Sequence, residues 1–384
     1  MNIQLLNKIA AVGLAELGES YTIGENVANP DGIMVRSAAM HEMEFGSELK
    51  AIARAGAGVN NIPIDRCSQE GIVVFNTPGA NANGVKELAI CALLLAARDV
   101  VGGIEWAKSL AGTADVAKQV EKGKSKFAGT ELMGKTLGVI GLGAIGGMIA
   151  NTAIHLGMNV IGCDPFLSVE GAWNLNHRIH RAATYDEIYE KADYITLHVP
   201  ATKDTKNMIC AQSIAKMKDG VKLINLSRAD LVNAENLKTA LADGKVSAYV
   251  TDFPTEDILD GVNVVAIPHL GASTEESEDN CAVMAARELD DYLKNGNIKN
   301  SVNFPNVEMP RSAVARICVL HANVPSVLTK ITAAVSGEGL NIENMTNKSK
   351  GENAYTVLDV SSMPSEHAVA SIASVEGVAR VRIL

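Results

Sequence analysis

The sequence has no excess of basic residues and no long run of like charge. Lysine and arginine total 34 against 44 aspartates and glutamates, which gives a formal net charge of −10 at pH 7. A phosphate backbone is bound by a basic surface, so this balance disfavours a nucleic-acid-binding protein. No charged block is long enough to predict an interaction tail.

Cysteines with metal-ligand or redox spacing are also missing. The six cysteines are scattered, none lies in a C-x-x-C pair, and no cluster of histidines accompanies them. This pattern argues against a zinc site and favours buried thiols in a reducing compartment. We therefore expect no resident metal.

The first twenty residues lack a basic segment followed by a continuous apolar core and a cleavage site, so we expect a cytoplasmic protein. Residues 137–154 carry no charge over nearly the length of a membrane span. Five of them are glycine, and the run divides into strand, turn and helix. We therefore reject a membrane-spanning segment.

Residues 134–166 carry the strongest signal in the 384-residue chain. An apolar strand, Thr136 to Ile140, leads into the pattern G-L-G-A-I-G at residues 141–146, and a helix of small residues and a second apolar strand follow. The second strand ends at Asp164. This combination predicts a dinucleotide-binding unit.

Each glycine of the pattern has its own physical role. Gly141 permits the tight turn out of the strand, Gly143 lets the backbone approach a pyrophosphate, and Gly146 lets the helix pack against the strand. The free N–H groups at the start of the helix, at Ala144 and Ile145, face the phosphates.

The acid at the end of the second strand determines which dinucleotide we expect. Asp164 is placed to accept hydrogen bonds from the ribose hydroxyls, and its charge repels a 2′-phosphate. No lysine or arginine follows until Arg178. We therefore predict NAD, rather than NADP, as the cofactor.

Residues 1 to about 90 alternate short apolar strands and helices, which predicts a first parallel sheet. Arg36 and Arg54 stand at strand ends, where open parallel sheets bind ligands, so both guanidinium groups are placed to meet an anion. The glycine-rich run after Arg54 adds backbone N–H groups. A role for Lys124 or Lys126 stays open beside the simpler interpretation of a solvated loop. The predicted substrate-binding residues are Arg36, Ser37, Arg54, Gly56, Ala57 and Gly58.

Three successive strands after Asp164 end in polar residues: Arg228, Asp252 and His269. Such strand ends meet at one edge of a sheet, where the nicotinamide is expected. Oxidation of a 2-hydroxy acid needs a base for the hydroxyl proton and a cation for the carboxylate. His269 is the candidate base and Arg228 the candidate cation. Glu256 is placed to accept a hydrogen bond from the other imidazole N–H.

The C-terminal part predicts a separate domain. A capping box at Ser273–Glu276 opens a long helix, and residues 295–312 are rich in Asn and Pro. The remaining elements follow the order β-α-β-β-α-β of a ferredoxin-like domain. The predicted fold is α/β, with two doubly wound, Rossmann-like parallel-sheet lobes and this third domain. The predicted boundaries are 1–91 (completed by 276–300) for the substrate lobe, 92–275 for the NAD-binding domain, 301–312 for a linker and 313–384 for the last domain.

These residues resemble the D-isomer-specific 2-hydroxyacid dehydrogenases. The matching motifs run along the whole chain: V-R-S-A, R-A-G-A-G-V-N-N, N-T-P-G-A-N-A-N, G-L-G-A-I-G, N-L-S-R, D-F-P-T-E and P-H-L-G-A-S-T. The family's catalytic trio, an Arg in N-x-x-R-G, a Glu in D-V-F-x-x-E and a His in P-H-x-G, falls on Arg228, Glu256 and His269. The resemblance implies NAD-dependent oxidation of 3-phospho-D-glycerate, the first step of phosphorylated serine synthesis, by a homodimer or homotetramer.

The resemblance and the strand-end positions together give the cofactor contacts. The candidates are Thr77, Gly141, Gly143, Ala144, Ile145, Gly146, Asp164, Val199, Pro200, Leu226, Ser227, Arg228, Asp252, His269, Gly271 and Ala272.

Two motifs near the trio depart from the family pattern. Ala229 replaces the glycine that follows the catalytic arginine. The spacing before Glu256 leaves two registers open, in which either Asp252 or Thr251 stands where the family has its aspartate.

The last domain resembles an ACT domain, a type that binds serine as a feedback inhibitor. By that resemblance the effector residues are His321, Asn323 and Asn341. The family's Pro-Gly is Pro325–Ser326 here, and a dimerisation domain without a ligand is the alternative.

Two other functions remain open. A hydroxypyruvate or glyoxylate reductase would use the same trio without needing both Arg36 and Arg54. A non-catalytic NAD-sensing protein would need no proton relay.

Overall fold

A computed structural model describes all 384 residues and divides them into two compact units. The split unit comprises residues 1–81 and 278–384, and the central unit comprises residues 82–277. No helix combines the length and the apolar character needed to cross a membrane.

The N-terminal part of the split unit is a parallel sheet of five strands in the order β2-β1-β3-β4-β5. Its inner strands Gly32–Val35 and Ala51–Arg54 are buried over nearly their whole length, as expected when helices cover a parallel sheet on both sides. The elements are β1 (Asn2–Leu5), α1 (Ala11–Ala15), β2 (Thr22–Gly24), β3 (Gly32–Val35), β4 (Ala51–Arg54), α2 (Ile64–Gln69) and β5 (Val73–Phe75).

The central unit contains a parallel sheet of seven strands. Its helices are α3 (Ala82–Ala97), α4 (Val100–Ser109), α5 (Val116–Gly123), α6 (Ala144–His155), α7 (Val169–Trp173), α8 (Tyr185–Lys191), α9 (Ala211–Lys216) and α10 (Ala234–Ala242), with 3₁₀ turns at Lys124–Phe127 and Ala229–Leu231. Its strands are β6 (Thr136–Ile140), β7 (Asn159–Cys163), β8 (His180–Arg181), β9 (Tyr194–Leu197), β10 (Val221–Asn225), β11 (Val246–Thr251) and β12 (Val264–Ala266).

The strand order of this sheet is β12-β11-β10-β9-β6-β7-β8. The order reverses between β6 and β9, which is where doubly wound sheets open a crevice at the carboxyl ends of their strands. The glycine pattern follows β6 directly, so the topology places it at this crevice.

A long helix, α11 (Glu275–Asn295), follows β12. The backbone N–H of Ser277 donates to Thr274 Oγ1 at 3.1 Å. The cap is therefore at Thr274, one residue later than the predicted box, and the Thr274 hydroxyl also donates to Ser277 Oγ at 2.9 Å.

The last domain consists of β13 (Ala315–Ala322), α12 (Val327–Gly337), β14 (Ile342–Lys350), β15 (Asn353–Val360), α13 (Glu366–Ala373) and β16 (Val378–Ile383). Its antiparallel sheet has the order β14-β15-β13-β16, which is the ferredoxin-like arrangement. The predicted fold class, with two parallel sheets and an ACT-like domain, is confirmed.

This domain packs firmly within the split unit. The last four carbonyl groups of a helix have no partner inside the helix. At the end of α11, Arg316 donates to the carbonyl oxygen of Asn295 at 2.8 Å, and Arg382 donates to that of Leu293 at 2.9 Å. The C-terminal sheet therefore caps a helix that belongs to the N-terminal lobe.

The Asn- and Pro-rich segment before this domain is largely buried. The backbone of Val302 donates to Val74 of β5, and Phe304 and Val307 lie in the hydrophobic core of the split unit. The segment expected as a linker is thus a packed part of the split unit, since its apolar side chains alternate with the Asn and Pro residues that suggested a loop.

Candidate active site

The glycine turn of the central unit adopts the geometry needed to approach a phosphate. Gly141 has a φ of +91°, and a Cβ there would collide with the carbonyl oxygen of His198. A Cβ at Gly143 would meet nothing within 4 Å, so the backbone is open on that side. A Cβ at Gly146 would collide with the carbonyl oxygen of Gly141, which explains the close contact of helix and turn.

Asp164 sits directly beside this turn. Its Oδ2 accepts from the backbone N–H of Leu142 at 2.9 Å, and its Oδ1 accepts from Phe166 at 2.8 Å. These bonds fix the carboxylate at the end of β7, where a ribose is expected. The Phe166 side chain is 93% exposed and offers an apolar surface next to the carboxylate.

The other residues expected along the crevice line neighbouring strand ends. The Ser227 hydroxyl donates to the carbonyl oxygen of Leu197 at 2.6 Å and so ties β10 to β9. Val199 lies against Gly141, and the carbonyl oxygen of Pro200 accepts from Thr205. Leu226 is buried beneath them.

Arg228 extends from the end of β10 with its side chain exposed. Its guanidinium lies 5.3 Å from the ring centroid of Phe253, and its Nη1 donates to the carbonyl oxygen of Ser227 at 2.6 Å. Ala229 begins a 3₁₀ turn and has no positive φ, so alanine fits where the family pattern has glycine.

Asp252 is buried beside the histidine segment. Its Oδ2 accepts from the backbone N–H of Gly271 at 3.2 Å, while its Oδ1 is buried without a partner. Burial raises the pKa of this carboxyl group, and the Gly271 N–H and the charges of His269 and Arg228 oppose that shift. The unpaired Oδ1 fits an amide donor such as the carboxamide of a nicotinamide.

His269 occupies a strained backbone position with a φ of +25°. Its backbone N–H donates to the carbonyl oxygen of Asp252 at 3.0 Å, and its ring centroid lies 4.4 Å from that of Phe253. Glu256 is exposed and makes neither a hydrogen bond nor an ion pair with the imidazole. The structure therefore brings together Arg228, Asp252 and His269, and it shows no hydrogen bond between Glu256 and this group.

A second histidine near the crevice is ruled out as the base. Burial lowers the pKa of His198 to about 3, and its Nε2 bonds Thr196 Oγ1 at 2.7 Å. This histidine is therefore neutral at physiological pH and is tied to Thr196 at the end of β9.

The predicted substrate arginines lie together in the split unit. Arg54 Nε donates to the carbonyl oxygen of Arg36 at 3.1 Å, and the Arg36 guanidinium pairs with Glu278 at 2.7 Å. Asn7, which the sequence did not single out, holds the loop after β3. Its Oδ1 accepts from the backbone N–H groups of three successive residues, Arg36, Ser37 and Ala38, at 2.9 to 3.0 Å.

The glycine-rich loop after β4 is also supported. Gly56 has a φ of +150°, and its carbonyl oxygen accepts from the backbone of buried Thr77 at 3.1 Å. Asn76 Nδ2 donates to the carbonyl oxygen of Ala57 at 2.6 Å. Gly58 completes the loop and is partly exposed.

The remaining predicted residues keep local partners. His321 is 5% exposed, and both ring nitrogens are hydrogen-bonded, to the carbonyl oxygen of Ala322 and to Thr356 Oγ1. Asn323 bonds Gly351, and Asn341 bonds Glu343. Outside this domain, Lys124 pairs with Glu121 at the surface of the central unit, where Lys126 is also exposed.

Comparison with known proteins shows which family the chain resembles. Residues 100–271 match the model of the D-isomer specific 2-hydroxyacid dehydrogenase NAD binding domain. A D-3-phosphoglycerate dehydrogenase of Synechocystis sp. is 34% identical over 80% of this chain and 55% of its own length. The chain thus spans about half the length of that relative. The predicted cofactor, NAD, is confirmed by the match to the NAD-binding domain.

In two further comparisons the match extends over most of the other protein's length. A hydroxypyruvate reductase of Thermotoga maritima is 37% identical over 71% of this chain and 88% of its own length. The NAD⁺-bound 3-phosphoglycerate dehydrogenase of Entamoeba histolytica superposes with a TM-score of 0.61 at 28% identity, covering 79% of this chain and 98% of that chain.

Proposed function

Because the chain belongs to the D-isomer-specific 2-hydroxyacid dehydrogenase family, we propose that it oxidises 3-phospho-D-glycerate to 3-phosphohydroxypyruvate, the first step of phosphorylated serine synthesis. The observation that carries the substrate assignment is the pair Arg36 and Arg54, joined at adjacent strand ends by the bond from Arg54 Nε. Two guanidinium groups suit a dianionic phosphate, whereas an unphosphorylated acid offers them no second anionic group.

In this proposal, residues of the central unit remove one proton from the substrate and bind its carboxylate. The glycine turn and Asp164 would hold NAD, which would supply the hydride acceptor for C2 of the substrate. His269 takes the proton of the C2 hydroxyl, and Arg228 holds the carboxylate and polarises the reacting oxygen. Asp252 Oδ1, which is buried without a partner, would accept a hydrogen bond from the cofactor carboxamide.

Glu256 keeps the role that the family resemblance assigns to it. Its exposed carboxylate is free of other partners, so it is available to accept a hydrogen bond from the second N–H of His269 once substrate is bound. Catalytic hydrogen bonds are often absent or long before the substrate complex forms.

The test is NADH formation at alkaline pH by the purified protein with four acids: 3-phosphoglycerate, glycerate, lactate and 2-hydroxyglutarate. We expect turnover of the phosphorylated acid alone. If glycerate reacts as well or better, the phosphate argument fails, while the cofactor and proton relay are retained.

A hydroxypyruvate reductase is the second candidate. It is favoured by the Thermotoga maritima relative, whose length the chain covers to 88%. Reduction of hydroxypyruvate with NADH, compared with reduction of its 3-phosphorylated form under the same conditions, separates the two functions.

We also propose that the chain forms a homo-oligomer and that the ACT-like domain responds to serine. Helices α4 and α5 bury no residue, and Val100, Ile104 and Val116 expose 41%, 50% and 44% of their surface. Unchanged activity and melting temperature in millimolar serine would remove the effector proposal. A monomer in sedimentation would remove the oligomer.

A further inference from the structure

An open surface cavity of about 530 Å³ lies on the split unit, between the N-terminal lobe and the C-terminal domain. It is separate from the predicted serine ligands and from the arginine pair. Its walls come from the end of β5, the segment 300–306 and the last residues of β14. The lining residues are Asn76, Pro78, Asn300, Ser301, Val302, Pro305, Asn306, Lys348, Ser349 and Lys350.

The charge of this cavity is unusual for the chain. Two lysines line it and no carboxylate does, although acidic residues outnumber basic ones by 44 to 34 overall. Lys348 and Lys350 are two apart on β14, so they project to the same face of the strand. Lys350 Nζ donates to the carbonyl oxygen of Ser301 at 2.7 Å, while Lys348 forms no ion pair or side-chain hydrogen bond.

The buried acid that bonds a lining residue, Glu288, is mostly protonated at neutral pH. Glu288 bonds Asn300 Nδ2 through its Oε1 at 2.6 Å, and burial raises its pKa to about 8. The amide and hydroxyl groups of Asn300, Asn306 and Ser349 complete a polar lining for a ligand with several oxygen acceptors.

The walls are held in place before any ligand arrives. Asn303 Oδ1 accepts from the backbone of Val74, and its Nδ2 donates to the carbonyl oxygen of Ile72 at 2.9 Å. From the other side, Asn353 donates to the carbonyl oxygen of Asn303 at 2.9 Å. The segment 300–306 is therefore fixed both to β5 and to β15. Binding of a ligand would cost little conformational entropy, because this wall is already ordered.

We propose that this cavity binds a small oxyanion, a phosphate or a carboxylate, with the ammonium of Lys348 as its main charged contact. Lys350 and the neighbouring amides supply further donors. Its floor is connected to the predicted substrate loop, because Asn76 bonds Asn300 through its backbone N–H and Ala57 through its side chain. An occupied cavity therefore changes the KM for substrate, a consequence that rests on the proposed function.

The test measures lysine acylation in the full chain by mass spectrometry, with inorganic phosphate, succinate or chloride at constant ionic strength. Phosphate at tenfold its dissociation constant should slow the labelling of Lys348 about tenfold by mass action. Exposed Lys330, which has no side-chain partner, is the internal control. Protection by succinate as well indicates a carboxylate site, and protection by phosphate alone a phosphate site.

Two variants separate this site from the substrate site. Protection at Lys350 should disappear in Lys348→Gln and persist in both Lys330→Gln and Arg54→Ala. If the ratio of Lys348 labelling to Lys330 labelling stays the same at all millimolar concentrations of both anions, the proposal is overturned. Loss of protection in Arg54→Ala would also overturn it. A protein that binds phosphate but does not oxidise 3-phosphoglycerate would contradict the proposed function and leave the anion site intact.

Discussion

Arg54 donates through Nε to the main-chain carbonyl oxygen of Arg36 at 3.1 Å. The bond uses the one N–H of the guanidinium that points back along the side chain. It orients Arg54 relative to the loop that carries Arg36.

We expect Arg54→Ala to raise the KM for 3-phosphoglycerate far more than it lowers kcat, because a phosphate remote from C2 is bound equally in the ground and transition states. Arg54→Lys should recover only part of the loss, since an ammonium has no Nε to hold the Arg36 carbonyl. Steady-state kinetics of both variants is the measurement. An unchanged KM would remove Arg54 from the site.

Asn7 is the residue whose importance the sequence did not reveal. Asn7→Ala leaves three N–H groups of the Arg36 loop without an acceptor, so we expect a higher KM and a loss of about 1–3 kcal/mol in unfolding free energy. Asn7→Asp retains the acceptor oxygen and should restore most of the KM. Urea denaturation and kinetics on the same preparations test this. Equal effects of both substitutions would show that the acceptor is unimportant.

The proposed roles of His269, Glu256 and Asp252 can be separated. His269→Ala should lower kcat by about 10²- to 10⁴-fold, the usual contribution of a general base, with NAD binding largely kept. Glu256→Gln should lower kcat and alter its pH dependence, again with NAD binding kept. Asp252→Asn should weaken NAD binding, because the single amide oxygen stays with the Gly271 N–H and the NH2 group, a donor, takes the place of the accepting Oδ1. Fluorescence titration with NADH beside pH–rate profiles distinguishes these results. A Glu256→Gln enzyme with native kinetics would exclude the assigned partner role.

Glu288 predicts a specific dependence of stability on pH. Its pKa rises from 4.5 to about 8 on folding, since Oε2 is buried without a partner. The folded state therefore retains the proton between these values while the unfolded state releases it, so this group's stabilisation is full below pH 4.5 and is lost as pH rises towards 8.

Gln resembles the protonated acid, so Glu288→Gln should match the native protein near pH 4.5 and exceed its stability increasingly up to pH 8. The difference should grow by at most about 1.4 kcal/mol per pH unit. Urea denaturation at several pH values measures it. Glu308→Gln, at an exposed position, is the control and should show no such trend.

Ser326 and Ser365 precede the two helices of the last domain. Substitutions at these two positions should change the stability of the protein in opposite directions. Ser326 has a φ of +72° and makes no capping bond, whereas Ser365 accepts from the backbone of Ala368 at 3.0 Å. Ser326→Gly should stabilise by about 1 kcal/mol by relieving a left-handed conformation. Ser365→Ala should destabilise by about 1 kcal/mol through loss of a cap. Thermal denaturation of both variants is sufficient. A lower melting temperature for Ser326→Gly would contradict the strain argument.

Local patterns were sufficient where the structure depends on neighbouring residues. The glycine turn and Asp164 follow from strand, turn and helix signals within about thirty residues, and the polar strand ends that carry Arg228, Asp252 and His269 follow from the regular alternation of the fold. Ser326 stands where the family pattern has a glycine, and its positive φ is the conformation that glycine adopts without strain.

Side-chain direction and distant partners could not be predicted in the same way. The spacing of Glu256 does not tell which way its carboxylate points, and in the structure Phe253 rather than Glu256 contacts the imidazole. His321 bonds Thr356, which is 35 residues away on another strand. Asn7 acts on a loop about thirty residues further on, with no motif to mark it.

The interrupted chain path of the split unit has a consequence for synthesis on the ribosome. Residues 1–81 need α11 and the C-terminal sheet to complete their core, but 196 residues of the central unit are translated in between. At 5–20 residues per second this corresponds to a wait of roughly 10–40 s. The central unit is continuous and can fold during that wait. The nascent N-terminal segment, with the apolar face of its sheet not yet covered by α11, is therefore the part of the chain that we expect to depend most on chaperones.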